Sequence, residues 1–162
     1  MLLYLLHYLY SMQQVRNRIL YCFLITDTIA LDQVIKYLFT KGGAGSFSII
    51  PNVLSLEVVQ NTGVAFSLPT NPLVPIILAA LVSIALTYHV FRQTTTHILE
   101  IIGLALIVGG SISNLIDRLA YGSVIDMIKL HGFFTCNIAD IALSIGVALL
   151  VIKLFIVREE MV

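Results

Sequence analysis

Two aspartates in unlike surroundings, Asp126 and Asp140, are the side chains of this sequence whose type and setting suit chemistry. Asp126 lies among Val124, Ile125, Met127 and Ile128, with no obvious local cation, so a partner for it must come from elsewhere in the fold. Asp140 follows Asn137 by three residues, a capping-box-like spacing worth about 1 kcal/mol at a helix start. Taken alone, Asp140 reads as part of a cap; beside an unneutralised Asp126 it reads as half of a pair. Two carboxylates within hydrogen-bond reach do not both ionise cheaply and tend to share one proton, leaving one as base and the other as acid. A water held between them can be deprotonated as it attacks a carbonyl, while the protonated partner steadies the oxyanion and helps the amine leave. That is water-mediated amide hydrolysis, with no metal, cofactor or covalent nucleophile required. In a coupled pair the base and acid roles stay unassigned at this point.

Other polar residues have structural readings beside functional ones. Asp32 and Lys36 are four apart with the acid first, the favourable order for a same-face helix pair, and the expectation is a neutralising pair with Lys36 snorkelling outward. Asp117 falls near a helix C-terminus, where the macrodipole disfavours an anion, so it reads as structural with adjacent Arg118 as its neutraliser. Asp27 has no assigned role. His7, His89, His97 and His131 show no metal-ligand spacing, and Cys22 and Cys136 read as free thiols. Nothing lowers the pKa of Cys136 or supplies it a base, and a serine triad lacks its nucleophile motif.

The elements that must position these residues are membrane helices. The 162 residues are 59% hydrophobic and 11% charged, against roughly a quarter charged in a soluble domain, and mean hydropathy is +0.99. Net charge is zero without a basic run, which leaves nucleic acid no electrostatic footprint. A bilayer-spanning helix needs about 20 apolar residues. Four stretches come close, Ile19 to Phe39, Leu73 to Phe91, Ile98 to Leu115 and Ile138 to Val157, predicting a four-helix membrane bundle. Arg16, Arg18, Arg92, Lys153 and Arg158 fall on the side of the termini, against Lys41, Arg118 and Lys129 opposite, which puts the termini in the cytoplasm. Met1 to Tyr10 is too short to span and lacks the features of a secretory signal; an interfacial anchor and a translation start at Met12 both remain open.

Between the first two spans, Gly42, Gly43 and Gly45 read as a hinge, Phe47 to Ser67 as short external strands, and Pro69, Pro72 and Pro75 as the cluster that ends this segment and opens the second span. The fold class is therefore an all-α integral membrane protein with a small external β-structured cradle. One domain spans 1–162, with a cytoplasmic segment at 1–18, the cradle at 40–72 and an external catalytic loop at 116–137.

Four blocks in this order resemble the bacterial lipoprotein signal peptidases, the signal peptidase II family, over most of the chain. Asp32-Gln33 with Lys36 resembles the first-span block, and Asn61-Thr62-Gly63-Val64-Ala65-Phe66-Ser67 the external Asn-Thr-Gly block. Gly109-Gly110 through Asn114, Asp117 and Arg118 resembles the third block, and Asp126 with Asn137-Ile138-Ala139-Asp140 the catalytic blocks. The resemblance implies a membrane aspartyl endopeptidase that removes the signal peptide from prolipoproteins, cutting before a diacylglyceryl-modified cysteine. It implies a catalytic dyad at Asp126 and Asp140, substrate-contacting residues at Asn61, Asn114, Arg118 and Asn137, and support from Asp32, Lys36, Gly63 and Asp117. It further implies prolipoproteins and membrane lipids as partners, a monomer, no cofactor, and an inner-membrane location with the site near the periplasmic face. Ser113 stands where the family usually has glycine, Met127 where phenylalanine is common and Cys136 where an aromatic often precedes the asparagine. Serine closes off the near backbone approach that glycine permits, so packing beside Asn114 should differ.

A different class of protein, a small ion or proton carrier, would use Asp27, Asp32, Asp117, Asp126 and Asp140 as a relay. A relay wants carboxylates spaced through the bilayer, whereas Asp117, Asp126 and Asp140 gather towards one side and the second and fourth spans hold no inner-leaflet acid. A structural membrane subunit would leave the clustered acids without a purpose.

Overall fold

A computed structural model describes residues 1–41, 46–62, 71, 73–92 and 97–159. Gly42, Gly43, Gly45, Gly63, Pro69 and Pro72 lie outside the described residues. The chain forms four helices and four strands: α1 (Leu2–Lys41), β1 (Phe47–Ile50), β2 (Leu54–Asn61), α2 (Leu73–Arg92), α3 (Ile98–Tyr121), β3 (Val124–Leu130), β4 (Phe134–Cys136) and α4 (Ile138–Glu159). The protein is mostly helical, with a small antiparallel sheet.

α3 is the central helix and packs against α1, α2 and α4. Its buried face is rich in small residues, Gly103, Ala105, Gly109, Gly110 and Ser113 among them, which lets neighbouring backbones come close. At Gly110 the approach is tightest: a Cβ there would stand 2.5 Å from the Ala139 carbonyl oxygen of α4. α2, α3 and the Ile138–Ile156 part of α4 are long and apolar enough to cross a membrane. Exposed apolar side chains such as Ile77, Leu81 and Ile84 on α2, and Ile145, Leu154 and Phe155 on α4, suit lipid.

α1 differs from the expected first span. It is one continuous helix of 40 residues, about 60 Å at 1.5 Å per residue, and absorbs the short apolar segment at Met1 to Tyr10. Asp27, Asp32 and Lys36 lower its apolarity, and it does not meet the length-and-composition test that the other three pass. At the end of the bundle away from the sheet, Tyr21 of α1 packs edge-on against Phe91 and shares a 3.0 Å hydrogen bond with Thr87. Val90, Ile101, Leu104, Ala105 and Val108 complete that core. Arg18, which donates to the Phe91 carbonyl, and Glu100, which pairs with Lys153 at 3.0 Å, gather the helix ends there.

The sheet is larger than the sequence indicated. Its order is β1-β2-β3-β4, all antiparallel, so the region at 116–137 expected as a loop is the end of α3 followed by two strands. β3 reads poorly as a strand because its first four residues, Val124 to Met127, are all buried, which removes the usual apolar and polar alternation. α3 runs beyond Leu115 to Tyr121 and stops where Gly122 takes the left-handed conformation (φ 71°), its N–H bonding to the Arg118 carbonyl at 3.0 Å. That cap turns the chain from the helix directly into β3.

Candidate active site

The site lies where the sheet meets the ends of α3 and the start of α4. Asn137 caps α4 reciprocally: its Oδ1 accepts from the Asp140 N–H at 2.9 Å, and its own N–H donates to Asp140 Oδ2 at 3.2 Å. The same side chain turns its Nδ2 to Asp126 Oδ1 and to Asn114 Oδ1, both at 3.0 Å. Asn137 is fully buried, so its amide ties the helix start to β3 with little freedom. Asn114, on α3, donates its Nδ2 to Asp140 Oδ1 at 2.9 Å. The two aspartates are thus held from different elements by one pair of asparagines.

Asp126 is buried, and its partners are neutral donors: Asn61 of β2 at 3.1 Å, Thr135 of β4 at 2.7 Å and Asn137. Together with Asp140 it faces a cavity of about 590 Å³, lined also by Asn61, Asn114, Arg118 and Thr135 and by the apolar Val124, Phe134, Ile141, Leu143 and Ile145. Polar groups therefore gather at one part of a largely apolar hollow, a composition typical of ligand sites. Arg118 reaches back to the Asn114 carbonyl at 3.4 Å and carries its charge beside Asp140, Asp117 and Asp126. Cys136 lines the same cavity; burial pushes its thiol pKa up, and the nearby Asp140 and Asp126 push it further.

Behind this layer sits a buried ionic cluster that corrects two expectations. Lys36 does not snorkel: it is 2% exposed and bridges Asp32 Oδ2 at 2.6 Å and Asp117 Oδ2 at 2.7 Å. The cation in direct contact with Asp117 is consequently Lys36, from α1, while the adjacent Arg118 makes no ion pair with it and adds only its nearby charge. Lys36 also donates to Asn114 Oδ1 at 3.3 Å, which links the cluster to the cavity. Asp117 is turned away from the cavity towards α1 and accepts the Ile125 N–H at 3.1 Å, anchoring the start of β3. Asp32 Oδ1 accepts the Ala139 N–H at 3.0 Å and so braces α4 one residue before Asp140.

Three polar residues outside the sequence-derived site belong to these networks. Gln33 donates to Asp117 Oδ1 at 2.9 Å and to Ser113 Oγ at 3.0 Å, and its place in the first-span block was the available signal. Ser113, fully buried, donates to Asp32 Oδ2 at 2.7 Å, so the hydroxyl is absorbed into the ionic cluster. Thr135 had no sequence signal, since strand pairing sets it opposite Lys129 and not Asp126. Asp27 is exposed on α1. Among the described residues, no group of three or more His, Cys, Asp or Glu side chains is placed to hold a metal ion.

Comparison with known proteins bears on the whole of this arrangement. A family profile described as signal peptidase (SPase) II matches residues 22–156. The lipoprotein signal peptidase of Mesorhizobium japonicum is 38% identical over 139 residues, covering 81% of this chain and 82% of its own. That of Pasteurella multocida is 32% identical over 160 residues, covering 92% of this chain and 96% of its own. A solved structure described as a bacterial membrane enzyme, determined by the in meso method at 2.3 Å, superposes with a TM-score of 0.76 at 28% identity, covering 83% of this chain and 87% of that one. The chain is a bacterial membrane protein and belongs to the signal peptidase II family.

Proposed function

We propose that this protein is an aspartic endopeptidase that removes the signal peptide from prolipoproteins by hydrolysing the amide bond before a diacylglyceryl-modified cysteine. The observation that carries the reading is the pairing of Asp126 and Asp140 through Asn137 and Asn114 in the lining of a cavity with apolar walls. Water between the two carboxylates loses a proton to one of them as its oxygen attacks the scissile carbonyl, and the other gives a proton to the developing oxyanion. Collapse of the tetrahedral species breaks the carbon–nitrogen bond, the amine taking up a proton as it leaves. Arg118, Asn61, Asn114 and Asn137 orient the peptide and the carboxylates, while Asp32, Lys36 and Asp117 brace the framework behind them. Val124, Phe134, Ile141, Leu143 and Ile145 offer an apolar wall to acyl chains and to the apolar signal peptide.

In this reading α1 crosses the membrane as a fourth span, because two of the charges that lower its apolarity, Asp32 and Lys36, pair with each other inside the bundle, where Lys36 also meets Asp117. Arg16 and Arg18 within α1, Arg92 at the end of α2 and Lys153 towards the end of α4 support termini in the cytoplasm of an inner-membrane protein. The sheet and site then sit near the periplasmic face, with the sheet as a cradle for substrate, one domain acting as a monomer among membrane lipids. The test is incubation of the purified protein with a lipobox peptide, with and without the diacylglyceryl group, followed by mass determination of the products. Cleavage of the modified peptide alone, immediately before its cysteine, supports the proposal; equal cleavage of both, or cleavage of neither, refutes it.

A further inference from the structure

The two carboxylates are not held alike. Asp126 receives two side-chain donors on one oxygen, Thr135 Oγ1 at 2.7 Å and Asn61 Nδ2 at 3.1 Å on Oδ2, and Asn137 Nδ2 on Oδ1 at 3.0 Å. Asp140 receives one side-chain donor, Asn114 Nδ2 on Oδ1, and the Asn137 backbone N–H at 3.2 Å on Oδ2. The Thr135 bond is the shortest of these five. Donors to a carboxylate favour its ionised form, and a short hydroxyl bond to an anion is of the stronger, charge-assisted kind. Thr135 is the middle residue of the short strand β4, two residues before the Asn137 cap of α4, so its backbone is fixed by the β3 ladder on one side and the helix cap on the other.

We propose that Thr135 is a positioning residue, whose hydroxyl fixes the Asp126 carboxylate and keeps Asp126 the ionised, proton-accepting member of the dyad while Asp140 carries the shared proton. The inference rests on the dyad reading above and assigns the roles within it. The attacking water then gives its proton to Asp126 while its oxygen bonds to the carbonyl carbon, and Asp140 protonates the carbonyl oxygen. On collapse the Asp126 proton passes to the leaving nitrogen, and the proton of the former carbonyl oxygen returns to Asp140. The titratable and charged groups that face Asp126 are Asp140 on α4, Cys136 on β4 and Arg118 on α3. Lys36 of α1 stands behind Asn114 with Asp32 and Asp117, and the Glu57–Lys129 pair lies along β2 and β3. Thr135 is the hydroxyl donor to Asp126 that can be removed without altering any of those charges.

The experiment compares Thr135→Val, which keeps the shape and loses the hydroxyl, with Thr135→Ser, which keeps the hydroxyl, and with Asp126→Asn. Cleavage of the diacylglyceryl-modified lipobox peptide is followed from pH 4 to 9, with a melting temperature for each protein. Thr135→Val should lower kcat about 10- to 100-fold with little change in KM. The acid limb of its pH profile should move to higher pH, because the anion has lost a donor that favoured it. Thr135→Ser should restore most of kcat and return the limb. If the valine protein melts early, Thr135→Ala carries the same comparison with a smaller side chain. Unchanged kcat and an unmoved limb in the valine or alanine protein, or equal losses in the valine and serine proteins, would overturn the role of Thr135 while an inactive Asp126→Asn leaves the dyad standing. An active Asp126→Asn would instead remove the dyad itself.

Discussion

Replacing Asn137 by serine and by alanine separates two tasks that its side chain performs together. As the cap of α4 it accepts the Asp140 N–H at 2.9 Å, and as a link it donates at 3.0 Å to Asp126 Oδ1. Serine is itself a favoured cap, whereas alanine forfeits about 1 kcal/mol there, enough to lower the melting temperature of a domain this size by roughly 2–4 °C relative to the serine protein. Serine ends one bond short of the asparagine amide nitrogen, so both variants lose the link. A hydrogen bond to a charged acceptor nets about 1.5–3 kcal/mol, which is about 10- to 150-fold if it is made in the transition state. Initial rates on the diacylglyceryl-modified peptide and melting temperatures in detergent read the two tasks separately. Both variants should be slowed to a similar extent, with only the alanine protein losing the cap contribution to stability. A serine variant as fast as the unaltered protein would refute the link, and identical melting of the two variants would refute the cap.

Three further outcomes follow from the packing. Gly110→Ala puts a Cβ 2.5 Å from the backbone oxygen of Ala139, so α3 and α4 must part; we expect activity to fall at least about 10-fold and the melting temperature to drop, since Asn114 and Asp140 lie one turn and one residue away. Full activity at an unchanged melting temperature would show that the helices tolerate the spread. Lys36→Met leaves Asp32 and Asp117 buried without their shared cation and should cost about 3–5 kcal/mol, part of it recovered in the Lys36→Met, Asp117→Asn double variant; denaturant titration measures both. Cys136 has its thiol pKa raised by burial and then by the neighbouring Asp140–Asp126 carboxyl pair, so the thiolate is scarce at neutral pH. Its alkylation, read by mass spectrometry of the Cys136 peptide, should be slower at pH 7.5 than that of a free cysteine peptide, and should rise only at higher pH.

The helices α2, α3 and α4 were legible in the sequence because long apolar runs have few other meanings, and Pro75 and Gly122 punctuate two of them. The α3 end was misplaced at Leu115 because polar Asp117 and Arg118 resemble a helix exit, yet Asp117 faces Lys36 and the helix continues. β3 and β4 were missed for a related reason: a strand buried between helices and other strands loses its alternation, and β4 is three residues long. At the site, local sequence revealed the Asn137–Asp140 cap, whose two ends are three residues apart. It misassigned the partner of Asp117, because neighbours in sequence do not face each other on a helix, and the true partner comes from α1. Nor does local sequence contain the Thr135 to Asp126 bond, which forms only once β4 has folded back along β3.

The measurement that bears most directly on the central claim is the cleavage rate of the Asp126→Asn and Asp140→Asn proteins on the diacylglyceryl-modified lipobox peptide, with the melting temperature of each. The account predicts that neither variant cuts at a measurable rate while both melt within a few degrees of the unaltered protein. Near-full activity in either one, at an unchanged melting temperature, would contradict it.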